Sequence, residues 1–108
     1  MREEFINLLE KYEDQIMEST LGSLKDEDGH RFAELYKHEW RDHKLCVSYV
    51  VCSILKSENK VTPEGLAYII ISEWSGVMIF EKQRIKFDLL ISVCKQILNE
   101  FMGEIDYE

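Results

Sequence analysis

Proline appears once and glycine five times in 108 residues. So few breakers suit an ordered domain better than a disordered tail. The glycines stand singly, which excludes a glycine-rich phosphate loop, and no serine lies in a nucleophile-elbow pattern. The three cysteines, Cys46, Cys52 and Cys94, are odd in number and fit no zinc spacing. All three lie among aliphatic residues, so they are expected to be reduced core thiols. Basic residues are scarce: 13 lysines and arginines face 21 acids, for a net charge of -8. A phosphate backbone repels such a surface, which disfavours direct nucleic-acid binding.

A long apolar run is also missing. The best stretch, LAYIIISEWSGVMIF, is broken by Glu73 and three small residues, short of the roughly 18 uninterrupted residues that a membrane span needs. The opening MREEFINLLEKYED lacks the basic start and apolar run of a signal peptide. A cytoplasmic protein away from membranes is the expectation, as one helical domain over residues 1–108.

What is present is helical periodicity. Phe5, Leu8, Leu9, Tyr12 and Ile16 recur every three or four residues between Glu3 and Thr20, with acids opposite them. The run GSLKDEDG then predicts a loop over 22–28, with Asp26 and Asp28 available to cap the next helix. Phe32, Leu35, Tyr36 and Trp40 continue the pattern through the polar Arg41-Asp42-His43-Lys44 into LCVSYVVCSIL. The β-branched residues over 45–55 also allow a short buried strand. No turn signal interrupts the run, so one long helix to about Ser57 is preferred, lying centrally under more than one neighbour.

Thr62-Pro63-Glu64 combines an N-cap hydroxyl, a proline at the first helical position and an early acid. It starts a third helix that runs to about Lys82. After the joint Lys82-Gln83-Arg84, a fourth helix carries Phe87, Leu90, Ile91, Cys94, Ile97, Leu98 and Phe101 as a wide apolar stripe, with Gly103 as its stop. The fold class is therefore all-α, a compact bundle of four helices with a fifth possible.

His30, Glu34 and His38 stand at four-residue intervals on the second helix. Such a row can offer metal ligands, although zinc needs three or four that converge, and a solvated polar face is the simpler account. No catalytic apparatus is visible, and no cofactor is implied.

From Thr62 onward, TPEGLAYIIISEWSGVMIFEKQRIKFDLLISVCKQILNEF resembles the C-terminal region of TetR-type transcriptional regulators, over about residues 62–102. The shared features are a penultimate helix with a Trp-Ser-Gly step, a short joint and a last helix. The resemblance implies that these two helices pair with their copies in a second subunit. The implied interface is Leu66, Ile70, Trp74, Gly76, Val77, Met78, Phe80, Phe87, Leu90, Cys94 and Leu98. It also departs from the family, whose DNA-reading helix-turn-helix head has no counterpart in this sequence. The leading expectation is a non-enzymatic, homodimeric regulator that binds another, unidentified protein. One alternative is a small acidic inhibitor of a nuclease or other nucleic-acid-binding protein, of the kind phages use, presenting Glu3, Glu4, Glu10, Glu13, Asp14 and Glu18. The other is a metal-binding helical protein using His30, Glu34 and His38.

Overall fold

The first amphipathic segment forms two helices rather than one, α1 (Arg2–Lys11) and α2 (Glu13–Leu21). They are followed by α3 (Gly29–Lys56), α4 (Pro63–Trp74) and α5 (Phe87–Ile105). This computed structural model describes residues 1–21, 29–74 and 86–105, with backbone alone at 21, 29–39, 73–74 and 104–105. The fold is all-α, and no strand occurs among the described residues. The stretch 45–55 is helical throughout. The capping role expected of Asp26 and Asp28, and the continuation of α4 to Lys82, lie outside the described residues.

The break between α1 and α2 falls at Tyr12, whose φ of −102° and ψ of 15° leave the helical region. Hydrogen bonding continues across it, with the Tyr12 amide donating to the Leu8 carbonyl and the Ile16 amide to the Tyr12 carbonyl. At this position the Tyr12 ring is buried and its hydroxyl donates to the Glu100 carboxylate on α5, where Lys11 also pairs at 2.8 Å. The apolar series Phe5, Leu9, Tyr12, Ile16 therefore stays directed inward through the bend.

The helices close a ring in which α1 packs on α3, α3 on α4, α4 on α5 and α5 on α1, while α2 extends α1 along α5. The first residues of α1 share a groove with Tyr49 to Lys56, and Glu10 reaches Lys44 at 2.7 Å, so α1 and α3 run antiparallel. Phe5 meets Phe101 edge-on with ring centroids 5.0 Å apart. At the other end the Lys86 amide donates to the Ser19 carbonyl at 2.7 Å. The segment α1–α2 is thus antiparallel to α5 as well. The radius of gyration, 13.8 Å, lies close to the roughly 13 Å of a compact chain of this length.

Long α3 buries Trp40, His43, Val47 and Val51 on one side, at the spacing of a single helical face. Its opposite side leaves Leu45 and Tyr49 in solvent. Cys46 is exposed there too, which corrects its assignment to the core: it shares a helix side with Asp42, Tyr49 and Ser53, not with Val47. Gly103 likewise does not end the last helix, which continues to Ile105. A glycine permits a left-handed stop without enforcing one.

Two ends of the α3–α4 connection carry explicit stop and start chemistry. Glu58 lies at φ 60°, and its amide donates to Leu55 while the Asn59 amide donates to Ile54. These bonds form a Schellman motif, with a side chain where glycine is usually found. Across the loop, the Thr62 hydroxyl accepts from the Gly65 amide at 3.0 Å, the expected N-cap. Relief of the left-handed strain in Glu58→Gly is expected to raise stability by about 0.5–1 kcal/mol. Loss of the cap in Thr62→Ala should lower it by about 1 kcal/mol. Urea unfolding of both variants measures these opposite signs.

Candidate functional site

The buried hydroxyls are consumed locally. Ser19 and Thr20 both donate to the Ile16 carbonyl, at 2.9 and 2.7 Å, and Ser48 donates to Leu45 at 2.9 Å. Each satisfies itself within its own helix, the arrangement that lets such residues stay dry. The Cys94 thiol has no exposure, and burial pushes it up to about 12, so it remains protonated at neutral pH.

His43 is the buried group that periodicity did not mark as core. It is 6% exposed, beside the ring of Trp40 with centroids 5.4 Å apart, and hydrogen-bonded to the backbone of Ile70 on α4. Burial lowers its pKa to about 4, against the opposing pull of the Ile70 carbonyl. The imidazole is therefore neutral at physiological pH. A signal was available, since His43 stands three residues after Trp40 and four before Val47 on one helical row.

Of the residues assigned to a dimer interface, Leu66, Ile70, Leu90 and Cys94 have no exposure and Leu98 is buried. They belong to the chain's own core, packed within a single copy. Phe87 differs. It is exposed at the start of α5, where its ring lies 5.8 Å from that of Tyr68 on α4, itself 62% exposed. Tyr68 was not singled out in the sequence because it interrupts an apolar run without standing apart from it. The side chain of Trp74 and all of Gly76, Val77, Met78 and Phe80 lie outside the described residues.

The other sequence candidates are dispersed. Positions 30, 34 and 38 lie on the α3 backbone, with side chains outside those described. Among the described residues no three His, Cys, Asp or Glu side chains converge as a metal site. Glu3, Glu4, Glu10, Asp14 and Glu18 are exposed on α1 and α2, and Glu13 is partly so. Glu10 is held by Lys44, and Glu4 by the N-terminal ammonium at 2.9 Å. Among the described residues no helix is long and apolar enough to cross a membrane.

No protein-family model, curated protein or solved structure matches this chain.

The neutral, buried His43 gives the fold a defined acid sensitivity. Its unfolded form takes a proton near pH 6.5 and its folded form only near pH 4. The unfolded state therefore binds more protons across that window, and stability falls as pH drops from about 6.5 to about 4. The expected loss is about 2–3 kcal/mol. His43→Asn keeps an N–H donor for Ile70 but does not titrate, so urea unfolding between these pH values should give a flatter profile than wild type. Parallel profiles would remove His43 as the cause.

Proposed function

We propose that this chain is a non-enzymatic interaction protein that homodimerises through its last two helices and acts by binding another protein. The observation that carries the reading is the Tyr68–Phe87 pair, two aromatic rings in mutual contact and open to solvent on neighbouring helices. Water gains by losing such surface, and tyrosine and other aromatics supply much of the energy at protein interfaces. A symmetric dimer would place the pair against its own copy across a two-fold axis. The resemblance of residues 62–102 to TetR-type regulators supports the same two helices as the pairing elements. The pairing surface differs from the inward stripe, because Leu66, Ile70, Leu90 and Cys94 are already covered within one copy.

A stable interface covers roughly 800 Å² on each partner, a small share of the 6995 Å² that one copy exposes. The aromatic pair would form the centre of such a patch. Sedimentation or light scattering at micromolar concentration should give twice the chain mass for wild type. Tyr68→Glu, placed at an exposed position, should give one chain mass while still unfolding cooperatively, with a midpoint that no longer depends on protein concentration. A monomeric wild type overturns the homodimer.

A second reading has its own observation, the exposed carboxylates Glu3, Asp14 and Glu18 along α1 and α2. An acidic face of this kind suits a basic, nucleic-acid-binding protein as target. Capture of such a target should then weaken steeply between low and physiological salt, whereas salt-independent capture would make the charge incidental.

A further inference from the structure

Cations are the minority on this chain, yet two from different helices meet at one groove. The groove lies between the first turn of α1 and the C-terminal end of α3, encloses about 610 Å³, and is lined by Arg2, Glu3, Tyr49, Cys52, Ser53 and Lys56 together with Met1. Its volume falls in the range of small-molecule sites. Arg2 and Lys56 are exposed, and neither makes an ion pair among the described residues.

Three further features favour an anion there. The start of α1 has no side-chain cap, and its Met1, Arg2 and Glu3 line the groove, so the positive pole of the helix lies at that end. Of the two acids of that turn, Glu4 is engaged with the N-terminal ammonium, while Glu3 stays in the lining and offsets one cation, so the two cations together leave a net positive charge. Cys52 lines the groove although it is only 6% exposed, and its thiol has no hydrogen-bond partner among the described residues. Burial raises the thiol pKa even though the N-terminal ammonium, Arg2 and Lys56 act to lower it. The thiol thus stays neutral, a donor that supplies no negative charge to the two cations. Beside them Tyr49 presents a ring that is 61% exposed, a surface on which a flat apolar body can rest.

We propose that this groove binds a small aromatic anion, such as a phosphate monoester, with Arg2 and Lys56 holding the anionic end and Tyr49 the ring. The Cys52 S–H forms the floor and donates to the bound anion. The site does not depend on the dimer, since it is built from α1 and α3.

Titration of the full chain with phenyl phosphate, followed by amide NMR shifts, tests the proposal. Saturable shifts are expected at Arg2, Glu3, Tyr49, Ser53 and Lys56, with inorganic phosphate binding several-fold more weakly because it leaves Tyr49 uncovered. The double variant Arg2→Gln/Lys56→Gln, altered only at exposed positions, should weaken phenyl phosphate by about tenfold while keeping the remaining spectrum. Tyr49→Ala should abolish the preference for phenyl phosphate over inorganic phosphate. Absence of saturable shifts at the groove overturns the proposal. So does phenyl phosphate binding that the double variant leaves unchanged, or equal affinity of wild type for the two probes.

Discussion

α5 has to be dry on several sides at once, and the remaining helices are arranged by that requirement. Leu90, Cys94 and Ile97 have no exposure, and Phe101 has 1%. With Val93 and Leu98 buried on either side of them, they make a stripe too wide for one neighbour to cover. It is covered by α4, α2 and α1 together. The bend at Tyr12 belongs to the same constraint: a two-part α1–α2 follows α5 from Phe101 back to Lys86, with Phe5, Tyr12 and Ser19 contacting successive positions. Polar contacts at the rim fix the alignment. Lys11 and Tyr12 converge on Glu100, and Lys11 first and Tyr12 second hold that carboxyl below its ordinary pKa. Because the pair is exposed, its contribution is to alignment more than to stability.

Periodicity was enough to read the helical class and the long α3, because a buried helix face repeats its apolar residues every three or four positions whatever covers it. The same property limits what can be read. An apolar stripe records that a face is covered but not by which chain, so Leu66, Ile70, Leu90 and Cys94 are equally apolar in a dimer seam or in a private core. Tyr12 continues the inward series without a glycine or proline, leaving nothing in the sequence to mark the bend. Gly103 carries a stop signal that takes effect only where the backbone adopts a left-handed turn, and here it does not.

His43 and Cys46 fail in opposite directions for a related reason. Adjacent residues do not share an environment in a helix, where the relevant neighbours are three and four positions away. His43 sits among Asp42 and Lys44 in sequence but with Trp40 and Val47 in space. Cys46 sits between Leu45 and Val47 in sequence but with Asp42 and Tyr49 in space. The groove at Arg2 and Lys56 was beyond reach for a further reason: it brings together residues far apart in the chain, and only the antiparallel packing of α1 on α3 makes them neighbours.

The ring order of the helices sets how the two proposed surfaces relate. With α1, α3, α4 and α5 packed in a cycle, the α1–α3 edge that holds the cationic groove lies opposite the α4–α5 edge that presents Tyr68 and Phe87. A ligand in the groove and a partner on the aromatic pair therefore do not compete for space. Any energetic coupling between them passes along the two remaining edges, through the Phe5–Phe101 contact of α1 with α5 or the His43–Ile70 contact of α3 with α4. The first is an edge-on aromatic contact indifferent to pH. The second needs a neutral imidazole, because a charged one would be buried without adequate solvation. Both edges nonetheless carry a titrating group, His43 at α3–α4 and, at α1–α5, the Glu100 carboxylate whose pKa Lys11 and Tyr12 lower.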